Sequence, residues 1–244
     1  MTTNGETHQR LRRGKVLIIG VGGLGAPAAI ALARAGVGTL GLVDPDVVEI
    51  SNLHRQPLYD TADVGRAKVD VAAARLQALV PDLAAETRRE RVGAGHAALL
   101  GRFDVVLDGT DTIAAKFAVN DAAVAAGVPL VHAGVLGFRA QLTTIVPGRT
   151  ACYRCVFEEE PPPGDVPSCQ EAGVLGPVTA LAGALQAAEA IRLLTGEVPA
   201  FAGRLLAVDV HAGTSRIVPL AVNVRCPACA AGPVSHPTAR SHVS

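Results

Sequence analysis

The run KVLIIGVGGLG at 15–25 constrains the fold more than any other part of this chain. An unbroken aliphatic stretch closing on glycine reads as a strand buried on both faces, as strands of parallel sheets are. The turn Gly20-Val21-Gly22-Gly23-Leu24-Gly25 then enters an alanine-rich segment over 23–35 that stops at Gly36, a helix with a glycine terminator. A second aliphatic run over 39–44 ends on Asp44. Strand, glycine turn, helix and strand in this order make a parallel βαβ unit. Such a unit aims the free N–H groups of a helix N-terminus at a place where a phosphate can sit.

The alternation continues downstream. The sequence predicts a helix over 65–80 stopped by Pro81, a strand over 103–108, a helix over 112–126 closed by Gly127, and a strand over 129–132. After Gly137 the pattern changes to alternating, antiparallel strands over 141–146 and 205–220, with a helix over 178–194 between them. The fold class expected is α/β: a Rossmann-like, mostly parallel sheet flanked by helices, with antiparallel strands toward the C-terminus. The whole chain, 1–244, reads as a single domain, with an acidic, proline-rich mobile loop over 158–168 and a small, polar tail over 231–244 expected to be disordered.

Composition narrows the partners. Twenty-two basic residues balance twenty-two acidic ones, so no charge excess points to nucleic acid or to a membrane surface. The polar start lacks the apolar core of a signal peptide, and the apolar run over 172–191 carries Gln186 and Glu189, so a buried helix fits it better than a membrane span. A soluble cytoplasmic protein is expected. Only three of the basic residues are lysines (Lys15, Lys68 and Lys116), so a lysine inside a motif carries weight.

Several residues fit phosphate chemistry. Asp44, ending the second strand, suits hydrogen bonds from ribose hydroxyls, and with the glycine turn alone it would serve NAD as readily as ATP. The loop SNLHRQ at 51–56 places Arg55 just downstream, and Lys68 opens the next helix. A guanidinium that grips phosphate oxygens in pairs and an ammonium acting as a point charge favour a triphosphate over a hydride carrier. The motif DGTD at 108–111 closes another strand at the carboxyl edge, where ligands of open α/β sheets bind. Asp111 reaches beyond the strand and suits Mg²⁺, whereas Asp108 suits hydrogen bonds to loop amides. Five cysteines complete the set: Cys152 and Cys155 in one C-x-x-C, Cys226 and Cys229 in another, and Cys169 alone between them. Four thiolates so paired suit one tetrahedral metal ion, and in a reducing compartment C-x-x-C pairs read as metal ligands or redox groups, while a lone thiol entering a helix is either a nucleophile or a spectator.

Taken in order, GVGGLG, DPD at 44–46, SNLHRQ, VGRAK at 64–68, DGTD, CYRC at 152–155, CQEAGVLGPV at 169–178 and CPAC at 226–229 resemble one family. The chain is similar, over about 9–230, to the ThiF/MoeB/HesA sulfur-carrier-protein adenylyltransferases, bacterial relatives of ubiquitin-activating enzymes, and it looks nearest to the thiamine type. The resemblance implies ATP- and Mg²⁺-dependent adenylation of the C-terminal glycine of a ubiquitin-like sulfur carrier ending in Gly-Gly. By position in the motifs, it implies that Gly20, Gly22, Gly23 and Gly25 line the phosphates and Asp44 holds the ribose. It further implies that Asn52, Arg55 and Lys68 hold the triphosphate, that Asp111 holds Mg²⁺, and that the four paired cysteines hold zinc. Cys169 stands where thiamine-type members handle sulfur. A cysteine desulfurase as sulfur donor and a homodimer are further implications.

The chain departs from the family pattern in three places. The usual Arg-Tyr-x-Arg-Gln segment is replaced by QRLRRGKV, offering Arg10, Arg12 and Arg13 instead; the usual Asp-Asn is Asp111-Thr112; and Lys116 stands where an arginine is usual. Two rival readings share the fold: an NAD-dependent oxidoreductase, which leaves Arg55, Lys68 and the double C-x-x-C unexplained, and a non-catalytic scaffold.

Overall fold

The computed structural model describes residues 5–162 and 173–230. Their strands are β1 (Lys15–Ile19), β2 (Thr39–Val43), β3 (Ala84–Arg88), β4 (Val105–Asp108), β5 (Leu130–Leu136), β6 (Arg139–Ile145), β7 (Arg204–Asp209) and β8 (Thr214–Pro219). The helices are α1 (Gly5–Arg13), α2 (Gly25–Ala35), α3 (Lys68–Leu79), α4 (Ala97–Leu100), α5 (Ile113–Ala126), α6 (Tyr153–Val156) and α7 (Gly176–Thr195). One sheet runs in the order β3-β2-β1-β4-β5-β6-β7-β8. It is parallel from β3 to β5 and antiparallel from β5 to β8.

The pleat divides the aliphatic strands between two cores. Val16 and Ile18 of β1 point to one face and Leu17 and Ile19 to the other. The first face packs against α2, α3 and α7 through Leu32, Leu76, Val178 and Ala182. The second packs against α5 and the cysteine pairs through Val119, Ala123, Cys152 and Cys226. Small side chains let these layers approach closely: a Cβ on Gly183 of α7 would lie 2.4 Å from the carbonyl oxygen of Leu24 at the start of α2. That contact gives the alanine- and glycine-rich composition a physical reason, because bulkier helices could not cross at this distance.

The structure differs from the sequence expectations mainly at the sheet's margins. The polar segment before β1 forms α1, which buries Leu11, and Arg10 Nη1 donates to the carbonyl of Thr195 at 2.5 Å, closing the end of α7. Strand β3 was not anticipated, because AAETR is polar and largely exposed. β8 is exposed along its whole length, so the alternation expected of it has no buried face to serve. β5 runs four residues past His132, where its pairing with β4 ends, and continues as partner to β6. No described helix is long and apolar enough to cross a membrane. Most of the 158–168 loop and all of the 231–244 tail lie outside the described residues, as does Cys169.

Candidate active site

The register brings the predicted nucleotide residues to one edge. Ile19 pairs with Val43 on one side and with Asp108 on the other, so Gly20, Asp44 and Gly109 follow adjacent strand ends. Gly20 has φ of +85°, a conformation L side chains rarely adopt, and its amide donates to the Val43 carbonyl at 2.7 Å. A Cβ on Gly25 would sit 1.9 Å from the Gly20 carbonyl oxygen, backbone against backbone. The turn therefore closes only with glycine there, which brings the N-terminus of α2, a place suited to an anion, up against the strand ends.

Two side chains hold this turn from beneath. Asp44 is buried; its Oδ2 accepts from the Val21 amide at 2.8 Å and its Oδ1 from the Asp46 amide at 2.9 Å. Burial raises the Asp44 carboxyl above its ordinary value, against the lowering effects of the Lys68 charge and the two amides. Tyr59 donates its hydroxyl to the Val21 carbonyl at 2.8 Å, and burial drives that phenol well above its usual range.

Lys68 acts electrostatically on Asp44, and Arg55 adjoins Gln56, whose side-chain amide would lie 3.4 Å from a Cβ on Gly22. Lys68 opens α3, is buried, and reaches Asp46 Oδ2 with Nζ at 3.3 Å. Arg55 ends the short 3₁₀ turn Ile50–Arg55 and donates from Nη2 to Asn52 Oδ1 at 2.6 Å and from Nη1 to the Ser51 carbonyl at 3.2 Å. Asn52 donates in turn to Glu49 Oε2 at 3.1 Å. The Asn52–Arg55 pair is thus held as a unit, and this turn abuts α7: a Cβ on Gly176 would lie 2.8 Å from the His54 carbonyl.

At the end of β4, Asp108 is fully buried and serves the loop as its position in the motif predicts. Its Oδ1 accepts from the Thr110 amide at 2.9 Å and the Thr110 hydroxyl at 2.6 Å. Its Oδ2 accepts from His132 Nδ1 at 2.7 Å and faces Lys116 Nζ at 3.5 Å. Burial alone would raise the Asp108 carboxyl; Lys116, His132 and Thr110 together outweigh it and hold the group well below the usual carboxylate range. Burial, aided by Lys116, lowers His132 and favours its neutral form. Asp111 stands exposed at the rim just past this cluster, and Thr112 caps α5 by accepting from the Ala115 amide at 3.3 Å. The hydroxyl found in place of the usual amide is therefore an N-cap.

On the α5 face of the sheet the two C-x-x-C pairs converge. Cys152 Sγ lies 3.5 Å from Cys226 Sγ and 3.9 Å from Cys155 Sγ, Cys155 Sγ lies 3.4 Å from Cys229 Sγ, and all four sulfurs fall within 4.8 Å of one another. Sulfurs about 2.3 Å from one tetrahedral zinc stand about 3.8 Å apart, so the cluster has the size and the donor set for that ion. Arg154, between the first pair, grips Asp121 of α5 with Nε at 2.8 Å and Nη2 at 2.8 Å, and its guanidinium lies 4.6 Å above the Phe117 ring. Tyr153 stacks against His132, with ring centroids 4.6 Å apart.

A model of the ThiF family matches residues 2–228 of the chain. The chain belongs to the ThiF family. It is 44% identical over 230 residues to the sulfur carrier protein adenylyltransferase of Thermus thermophilus, covering 92% of this chain and 85% of that protein. It is also 44% identical over 231 residues to the SAMP-activating enzyme E1 of Haloferax volcanii, covering 94% and 85%. The adenylyltransferase and sulfurtransferase MOCS3 of Sus scrofa is 46% identical over 223 residues, 91% of this chain but 49% of that protein, so the chain spans about half of that relative. Among solved structures, E. coli MccB crystallised with ATP shares the fold, with a TM-score of 0.82 at 24% identity over 92% of this chain and 69% of that one.

Within this ThiF-family chain, sequence reasoning missed Tyr59, Gln186 and the second role of Asp44 as a brace for the glycine turn. Gln186 of α7 is fully buried and donates from Nε2 to the Asp108 carbonyl at 2.8 Å and the Val131 carbonyl at 3.0 Å, tying β4 to β5 beneath the edge. Its signal was a polar residue in the middle of an apolar helix. Arg10 closes α7 and Arg12 lies 3.8 Å from Asp82, so both have intrachain partners.

Proposed function

We propose that this chain is an adenylyltransferase that uses ATP to activate the C-terminal glycine of a ubiquitin-like sulfur-carrier protein. A carboxylate oxygen of the carrier bonds to the α-phosphorus of ATP as the bond from that phosphorus to the α,β-bridging oxygen breaks. The products are an acyl-adenylate on the carrier and pyrophosphate. The observation that carries this reading is the 44% identity, over 92% of the chain, to a relative named for that activity, in a chain whose strand ends gather the glycine turn, Asp44 and the DGTD segment.

The residues support a division of labour. Gly20, Gly22, Gly23 and Gly25 line the phosphates, with N–H groups at the start of α2 receiving their oxygens, and Asp44, with lone pairs left over, accepts from ribose hydroxyls. Arg55, Asn52 and Lys68 take the triphosphate and meet the negative charge that develops as pyrophosphate leaves. Asp111, a hard oxygen donor at the exposed rim, is the protein ligand for Mg²⁺, which takes its remaining oxygens from phosphate and water. The reaction is mostly positioning and charge stabilisation, which matches a site rich in fixed amides and cations. The four paired cysteines form a closed Zn²⁺ site with a structural role, and Cys169 is the residue proposed for subsequent sulfur chemistry with a donor such as a cysteine desulfurase. The full chain acts as one adenylation unit, as a homodimer in the cytoplasm, where ATP and reduced thiols are both available.

The test is exchange of labelled pyrophosphate into ATP, dependent on added carrier. The wild-type chain exchanges with a carrier ending in Gly-Gly and not with one truncated by its last glycine. Asp111→Ala abolishes exchange; full exchange in that variant removes Asp111 from the mechanism. Absence of exchange with thiamine-, molybdopterin- and tRNA-thiolation-type carriers alike defeats the activity itself.

A further inference from the structure

Lys116 is half-buried in the first turn of α5, and its ammonium group reaches into the end of β4. Nζ donates to the Thr110 carbonyl at 2.8 Å and the Ala133 carbonyl at 2.8 Å, and lies 3.5 Å from Asp108 Oδ2. An ammonium has three donors, and here three acceptors surround it. Thr110 is accordingly gripped on every polar atom: its amide and hydroxyl by Asp108 at 2.9 Å and 2.6 Å, its carbonyl by Lys116. The Thr110 carbonyl belongs to the peptide unit whose nitrogen is that of Asp111. A grip on Thr110 therefore fixes the origin from which the Asp111 side chain projects.

The same segment presses on the glycine turn. A Cβ on Gly109 would lie 2.5 Å from the Gly20 carbonyl, and one on Gly20 would lie 3.1 Å from the Thr110 nitrogen. Movement of residues 109–111 cannot be taken up on that side. His132 Nδ1, at 2.7 Å from Asp108, holds the carboxylate from β5, and Gln186 holds the Asp108 carbonyl from α7.

We propose that Lys116 and Asp108 form a positioning clamp on Thr110 that sets the place of the Asp111 carboxylate, and thereby how tightly the site holds its divalent cation. The side-chain polar atoms of both clamp residues are engaged within the chain. This inference rests on the adenylation reading and on Asp111 as the cation ligand. The lysine suits the task because a compact charge satisfies two carbonyls and a carboxylate in a space that a planar guanidinium would fill differently.

The test titrates Mg²⁺ in the carrier-dependent exchange assay with Lys116→Met, reading the Mg²⁺ concentration at half-maximal rate, alongside ATP binding in the presence of a chelator. The clamp predicts that Lys116→Met raises the half-maximal Mg²⁺ concentration about 10-fold, the range seen when outer-shell support of a metal ligand is lost, with chelated-ATP binding unchanged. An unchanged Mg²⁺ requirement in folded Lys116→Met overturns the proposal, as does an equal loss of rate at every Mg²⁺ concentration. Thr110→Val, which removes only the hydroxyl bond to Asp108, shifts the requirement in the same direction; no shift there also overturns it, whether or not the lysine variant folds. Asp111→Ala separates the two layers. Exchange that survives in that variant overturns the cation reading and the clamp together, whereas a dead Asp111→Ala beside an unshifted Lys116→Met overturns the clamp alone.

Discussion

The buried carboxylate of Asp44 accepts the amide hydrogen of Val21 at 2.8 Å, across 23 residues of sequence. The residue proposed to meet the ribose is thus also the brace of the phosphate turn. Asp44→Ala leaves the Val21 and Asp46 amides without this acceptor, which costs about 1–3 kcal/mol for a buried donor. A lowered urea midpoint together with loss of thermal protection by ATP is expected, and retention of full ATP protection contradicts the double role.

Gly25→Ala places a methyl 1.9 Å from the Gly20 carbonyl, where only backbone could yield. Overpacking of this kind costs about 1–3 kcal/mol, and here it opens the turn as well. Thermal melts with and without ATP should show both a lower midpoint and a smaller nucleotide-dependent shift.

Asp108 offers a pH signature. Its carboxyl is depressed in the folded chain by Lys116, His132 and Thr110 despite burial, so its ionised form contributes stability that is present above the unfolded value of about 3.9 and is lost as pH falls through and below it. Asp108→Asn uncouples Lys116 from a buried charge, a change worth about 3–5 kcal/mol. Urea melts should show a gap between wild type and variant that is constant from pH 7 to pH 5 and begins to close only near pH 4.

The cysteine cluster predicts about one zinc per chain on its four-thiolate geometry. Cys226→Ser, at a buried position among the sulfurs, should lose the metal and lower the melting midpoint, and a strong chelator should do the same to the wild type. Metal-free wild-type protein with an unchanged midpoint would defeat the assignment.

Much of this was legible in the sequence because it is local. The glycine turn, the aliphatic runs of β1, β2 and β4, and both C-x-x-C pairs each occupy a few consecutive residues, and the structure sets them as expected. The missed parts join distant segments. Arg10 reaches Thr195, Tyr59 reaches Val21, and Gln186 reaches Asp108, and no pattern in one dimension records such pairs. β3 escaped because an edge strand with exposed faces needs no apolar run. Scarcity was a usable signal only in part: it marked Lys68 and Lys116 in a lysine-poor chain, yet the chain's two tyrosines, Tyr59 and Tyr153, contact Val21 of the glycine turn and His132 beside Asp108 without any mark in the sequence.

The extra length of β5 gives the nucleotide edge a stepped profile. From β2 through β1 to β4 the strand ends stand level, and then β5 rises four residues higher, about 13 Å at the rise of an extended strand. A ligand resting on the level part has the raised end of β5 on one flank and the level ends of β2 and β3 on the other. The two flanks of the edge are therefore unequal before any substrate arrives, and a polypeptide end reaching Asp111 has one side of approach where the backbone stands in its way.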